Sequence, residues 1–193
     1  RDEPDRPMQM WIDVSDGVKG LATLNNGKYG YTSTPESIGL SLMRAPLIGP
    51  GEVAGLGAFE FSYALLPHPG TWRKADVPTH AVAFNREPIV LPTWAHDGVL
   101  PCEGALFAVD DPAVQLTAVK RAETSTATVI RLYESSGTAR TVRLESLYPI
   151  AAARQTDALE NVDAGTELPV TKSAVELSFR PFEIKTVVLE LVS

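Results

Sequence analysis

Apolar and polar positions alternate with a period of two through most of this chain, the spacing of strands that turn one face to a core and one to water. Val18, Leu21, Ala22 and Leu24 form an apolar stretch ending at Asn25-Asn26-Gly27, residue types that tolerate positive φ and so turn the chain sharply. Ile38, Leu40 and Leu42 alternate with Gly39, Ser41 and Met43. Phe59, Phe61, Tyr63 and Leu65 alternate with Glu60, Ser62 and Ala64 as far as Pro67, which has no N–H for a ladder and is expected to end the strand. The segment Asp76 to Phe84 suits a short helix, with Asp76 as N-cap and Pro78 in the first turn.

Glu87 to Pro112 carries four prolines and two glycines, which predicts connecting and edge structure and a boundary between two parts. The strand pattern then returns. Val114, Leu116 and Ala118 alternate, Thr126 to Glu134 is rich in β-formers, and Ser135-Ser136-Gly137 is a turn. Val142 and Leu144, then Val175, Leu177 and Phe179, mark further strands, and Ile184 to Val192 is a final apolar strand after Pro181. The expected fold is all-β: antiparallel and sandwich-like, in two packed lobes, with at most one or two short helices.

Composition narrows the partners. With 24 acidic and 17 basic residues the formal net charge is −7, and no run of five like charges occurs. A dispersed acidic surface speaks against nucleic acid or an anionic membrane as partner. No apolar stretch approaches the roughly 18 residues of a membrane span. One cysteine, Cys102, excludes an intrachain disulfide, so nothing suggests an oxidising compartment; it reads as an incidental or packed thiol. Arg1 to Pro7 is charged and proline-containing, without the apolar core of a secretion signal, and reads as linker from a longer chain.

Candidate chemistry is sparse. His68, His80 and His96 form no H-E-x-x-H or H-x-H pattern and lie near no second cysteine, so neither a metal site nor a catalytic residue is assigned to this chain. His68, between Pro67 and Pro69, reads as a turn histidine bonded to backbone. Asp110-Asp111 before Pro112 reads as a turn ahead of a strand. Trp11, Trp72 and Trp94 suit either a sugar-stacking platform or, more commonly, packing.

Several blocks carry a family resemblance. Trp11-Ile12-Asp13-Val14-Ser15-Asp16-Gly17 resembles the W-x-D-L-S-E block that opens the late β-region of glycoside hydrolase family 38 α-mannosidases. Leu24-Asn25-Asn26-Gly27-Lys28-Tyr29-Gly30-Tyr31 is similar to its L-N-D-x-K-Y-G-Y, with Asn26 in place of the usual Asp. Leu40-Ser41-Leu42-Met43-Arg44-Ala45-Pro46 resembles L-S-L-L-R-x-P, and Phe61-Ser62-Tyr63-Ala64-Leu65-Leu66-Pro67-His68 resembles F-x-Y-A-L-x-P-H. Ile130 to Gly137 is similar to the R-L-Y-E-x-x-G block, and Phe179 to Thr186 to the closing R-P-x-E-I-x-T segment. The order, the spacing and the closeness to the C-terminus agree from about Trp11 onward.

The resemblance implies a parent that is a retaining α-mannosidase acting on terminal α-D-mannosyl residues. Its aspartate nucleophile and its divalent-metal ligands, for zinc, would lie upstream in an α/β domain and the region just after it. Residues 1–10 are then linker from the upstream chain, 11–104 part of the large mannosidase β-sandwich region, and 105–193 a small C-terminal β-sandwich. The chain would pack on the catalytic domain, its partner, and meet the α-mannoside only through the parent enzyme; alone it is expected to be inactive. The family loop at Asn25, Asn26, Lys28 and Tyr29 approaches the mannose site, with a basic side chain near the catalytic acids, which makes these four residues candidates for its rim. The K-Y-G-Y form resembles the bacterial and cytosolic branch, implying a cytoplasmic protein. The alternative is a free-standing β-sandwich that binds carbohydrate or protein.

Overall fold

The computed structural model describes residues 5–34, 37–43, 57–161 and 165–192. Arg44, Ala45 and Pro46 of the third resembling block, and residues 1–4 of the segment read as linker, lie outside the described residues. Among the described residues there are fifteen short strands, all paired antiparallel, and one helix, as the alternation predicts. The chain divides into two compact units between Leu91 and Pro92, inside the proline- and glycine-rich stretch.

The first unit holds two three-stranded sheets. In one, β1 (Arg6–Pro7), β4 (Gly30–Ser33) and β5 (Ile38–Ser41) lie in the order β1-β4-β5, so Arg6 and Pro7, within the segment read as linker, pair with Tyr31 and Gly30. In the other, β2 (Trp11–Ser15), β3 (Lys19–Asn25) and β6 (Tyr63–Pro69) lie in the order β2-β3-β6. Helix α1 (Val77–Asn85) covers one face of this second sheet, burying Ala22 and Leu24 against Val77 and Ala81 with Trp11, Leu66, Trp72 and Phe84 around them. Trp11 and Trp72 pack at a ring-centroid distance of 5.1 Å, the packing role for these two.

Three local expectations change here. Tyr63–Pro69 runs through Pro67, because β6 is an edge strand: the Gly70 N–H donates to Val18 O, so the alternate residues Pro67 and Pro69 turn their nitrogens to the open side, where no donor is needed. The apolar face is also reversed. Ala64 and Leu66 pack toward α1, while Phe59, Phe61, Tyr63 and Leu65 are 42–59% exposed. Asp76 does precede the helix, but in the left-handed region (φ 48°), and its carboxylate accepts from the Thr79 hydroxyl rather than capping a backbone N–H.

The second unit is a sandwich of a four-stranded and a five-stranded sheet. The first sheet contains β7 (Phe107–Val109), β10 (Arg140–Ser146), β13 (Val170–Thr171) and β14 (Ala174–Phe179), in the order β13-β14-β10-β7. The second contains β8 (Val114–Arg121), β9 (Thr128–Glu134), β11 (Ile150–Thr156), β12 (Thr166–Glu167) and β15 (Ile184–Leu191), in the order β12-β11-β15-β9-β8. Val142, Leu144, Val175, Leu177 and Phe179 of one sheet meet Ile130, Leu132, Ala153, Val187 and Leu189 of the other in a continuous buried core. Val142, Leu144, Val175, Leu177 and Phe179 are the alternating apolar positions of the sequence, placed on inner faces as strand geometry requires, whereas Ala153 lies on β11, a strand the alternation did not predict.

Candidate functional site

The loop that follows β3 is built on Asn25. It does not close a hairpin: β3 and β4 belong to different sheets, so the chain leaves one sheet at Asn25 and enters the other at Gly30. Asn25 is completely buried and locks this departure from several sides. Its Oδ1 accepts the Lys28 N–H at 2.8 Å, and its Nδ2 donates to Gln9 O at 2.8 Å. Its own N–H donates to Met10 O, and its carbonyl accepts from Asn85 Nδ2 of α1 at 3.0 Å. Gly27, at φ 74°, takes the left-handed turn that a side chain would oppose. The Asn26 N–H donates to Ser62 O, and the Tyr29 carbonyl accepts the Met8 N–H, so both flanks of the loop are tied down.

The four candidate rim residues therefore separate. Asn25 is a fully buried anchor that shapes the loop. Asn26 and Tyr29 are exposed, Tyr29 by 61%, and Lys28 is half-buried. The Lys28 ammonium lies 5.5 Å from the centre of the Phe61 ring, a cation–π distance. Among the described residues it has no carboxylate partner. Lys28 and Tyr29 line a groove of about 570 Å³ with Asp5, Arg6, Leu42 and Phe59, so one carboxylate faces it beside the two cations. Three ammonium donors, a phenol and aromatic faces in one groove can hold a carboxylate or the hydroxyls of a sugar.

Two further polar centres were not read from the sequence. His68 is buried in β6, not in a turn, and its Nε2 meets Asp13 Oδ1 of β2 at 2.7 Å across the intervening β3; Nδ1 faces Pro69 O at 3.4 Å. The Asp13 bond, against the opposing effect of burial, holds the His68 pKa above its ordinary 6.5. Gly20 is what lets the ring reach across β3: a Cβ there would overlap the imidazole.

The second centre is Glu134, fully buried at the end of the inner face of β9. Its carboxylate accepts the N–H groups of Ser136 (2.8 Å), Gly137 (2.7 Å), Thr138 (3.2 Å) and Phe182 (3.0 Å) and the Ser136 hydroxyl, with Arg140 Nε at 3.3 Å. Burial opposes its charge, yet the donors from Phe182, Ser136 and Gly137 prevail and hold its pKa at about 2, against an ordinary 4.5. The two C-terminal resembling blocks meet at this carboxylate. Asp111 pairs with Arg140 and caps Ala113, and Asp110 accepts the Arg143 N–H, so this doublet shapes the turn before β8. Cys102 and Trp94 are exposed.

Residues 1–49 match the family model described as glycosyl hydrolases family 38 C-terminal domain, and residues 113–187 match the one described as glycosyl hydrolases family 38 C-terminal beta sandwich domain. The chain belongs to the C-terminal region of glycoside hydrolase family 38. Alpha-mannosidase 2C1 of Mus musculus is 36% identical over 187 residues, which span 95% of this chain and 18% of that protein. The protein of the same name from Homo sapiens is 36% identical over 94% of this chain and 17% of its own length. Alpha-mannosidase G of Dictyostelium discoideum is 30% identical over 91% and 16%. The family 38 chain thus spans less than a fifth of each of these relatives. A crystal structure of an alpha-mannosidase from Enterococcus faecalis V583 matches it with a TM-score of 0.76 over 98% of this chain and 22% of that one; at 22% identity this shows the fold alone.

Proposed function

We propose that this chain is the non-catalytic C-terminal β-region of a retaining α-mannosidase that hydrolyses terminal α-D-mannosyl residues, and that it packs on the catalytic domain and helps to close it. The observation that carries this reading is the apolar surface left facing water. Ile89, Val90, Leu91, Trp94 and Val99 are 80–100% exposed in a stretch without helix or strand. Phe59, Phe61, Tyr63 and Leu65 add a second group of exposed apolar side chains, and Leu65 lines one shallow pocket with Leu21 of β3 and Val14 of β2. Burying each such side chain is worth roughly 1.5–3 kcal/mol, and apolar surface of this extent marks a docking face. Relatives more than five times as long as the stretch matched supply a body large enough to cover it.

In that assembly residues 11–104 belong to the large β-sandwich region and 105–193 form the small C-terminal sandwich. The loop from Asn25 to Tyr29 reaches the rim of the mannose site, where Lys28 hydrogen-bonds the catalytic carboxylates or a sugar hydroxyl and Tyr29 offers a ring face. Among the described residues no three His, Cys, Asp or Glu side chains converge to hold a metal ion. The proposed zinc and the aspartate nucleophile are assigned to the catalytic domain. No helix among the described residues is long and apolar enough to cross a membrane. The Lys28-Tyr29-Gly30-Tyr31 sequence supports a cytoplasmic enzyme.

The test is Lys28→Met in the full-length protein. A charge-assisted hydrogen bond made mainly in the transition state predicts a fall in kcat/KM of roughly 10- to 100-fold on an aryl α-mannoside. The same substitution should leave the chain's own stability within about 0.5 kcal/mol. Wild-type kinetics would refute the rim role. Turnover by the purified chain alone, with or without added zinc, would refute the non-catalytic reading.

A further inference from the structure

We infer that Asn85, in the last turn of α1, is a positioning residue for Lys28 in the mannosidase reaction, acting through Asn25; this rests on the reading that the Lys28 loop reaches the mannose site. Asn85 Nδ2 donates both to Ala81 O within its own helix (2.8 Å) and to the Asn25 carbonyl (3.0 Å). One amide thus joins the end of α1 to the residue at which the chain leaves β3. Asn25 in turn grips Lys28 directly, its Oδ1 accepting the Lys28 N–H at 2.8 Å. The link from helix to lysine backbone is therefore two hydrogen bonds long. It passes through a side chain with no exposed surface, which has little freedom to absorb a displacement.

The physical argument concerns precision. Between Asn26 and Tyr29 the loop belongs to no strand; its ends are tied by the Asn26 N–H to Ser62 O and by the Met8 N–H to Tyr29 O. Between those ties the backbone of Lys28 is fixed through Asn25 Oδ1, while its ammonium stands over the Phe61 ring. Asn25 is held by its pairing with Tyr63 at the end of the β3–β6 ladder, by Gln9 and Met10, whose chain leads into β2, and by Asn85, which alone ties it to the helix among the described residues. Without the Asn85 bond the Asn25 carbonyl loses its tie to the helix, and the lysine is left to sample positions from which its donors no longer meet a reacting group. Misplacement of a catalytic contact by a fraction of an ångström lowers rate without abolishing the fold.

The experiment is a double-substitution cycle in the full-length enzyme, with kcat and KM measured on an aryl α-mannoside. Asn85→Asp is isosteric and replaces the donating amide by a carboxylate; Asn85→Ala is the second variant, should a charge there disturb folding. Either should lower kcat/KM by about 3- to 10-fold, the worth of one neutral hydrogen bond, mainly in kcat. In a Lys28→Met background the same change at Asn85 should have little further effect, because the residue it positions is gone. Asn85→His, whose ring Nδ1 stands as many bonds from Cα as the amide nitrogen, should recover part of the loss. Equal losses with and without Lys28, or no loss in either single variant at Asn85, would overturn the inference while leaving the role of Lys28 intact. Wild-type kinetics for Lys28→Met would overturn both.

Discussion

Replacing Glu134 by Gln tests whether one buried carboxylate holds an end of the C-terminal sandwich. The substitution keeps shape and removes charge. Four backbone N–H groups and the Ser136 hydroxyl converge on the carboxylate, and Arg140 stands 3.3 Å away. An amide turns one of the two acceptor oxygens into a donor, which must face N–H groups already pointing at it. The depression of the Glu134 pKa from 4.5 to about 2 corresponds to about 3 kcal/mol at 1.36 kcal/mol per pH unit. Breaking a buried charge pair by removing one partner costs a similar 3–5 kcal/mol or so. For a unit of about 100 residues this lowers the melting temperature by roughly 12–25 °C.

The pH dependence carries a sign. A depressed carboxylate stabilises fully above its unfolded pKa of 4.5 and loses that contribution as pH falls toward about 2. Urea unfolding followed by far-UV circular dichroism should therefore show a gap between wild type and Glu134→Gln that is constant from pH 7 to pH 5 and closes below. A variant within about 1 kcal/mol of wild type at pH 7 would refute the reasoning, as would a gap that persists unchanged at pH 2.5.

The His68–Asp13 pair predicts the opposite slope. With its pKa raised above 6.5, His68 contributes fully below that value and loses its contribution as pH rises through the folded pKa; NMR titration of the ring should report a pKa above 6.5 that falls in Asp13→Asn, and an unchanged titration would show the pair is not coupled. Gly20→Ala should cost about 1–3 kcal/mol, since the added methyl overlaps both the His68 ring and Ser15 Cβ; an unchanged urea midpoint would mean that both give way freely.

The sequence by itself determined the class of this fold, its strand spacing and its family. Period-two alternation follows from the pleat of each strand and needs no partner to be visible: Val142 and Leu144, or Val175, Leu177 and Phe179, are inner-face residues in any sandwich that buries them. The blocks from Trp11 to Thr186 carried the mannosidase resemblance for the same reason, as local patterns in order. What tertiary structure decided were choices between local patterns of equal appeal. Phe61, Tyr63 and Leu65 alternate as cleanly as Ala64 and Leu66, and only the docking of α1 chose the smaller set for the covered face. Pro67 looked like a strand end because a ladder needs its N–H, and only the edge position of β6 removed that need. Asn25 looked like a turn residue and His68 like a turn histidine, and Asn85 lay one residue beyond the expected helix with nothing to single it out. Their roles depend on Lys28 and Asn85, on Asp13, and on Asn25, partners brought near by the fold. Hydrophobic periodicity is written residue by residue, whereas a buried hydrogen bond is a property of two distant positions and appears only when the chain has brought them together.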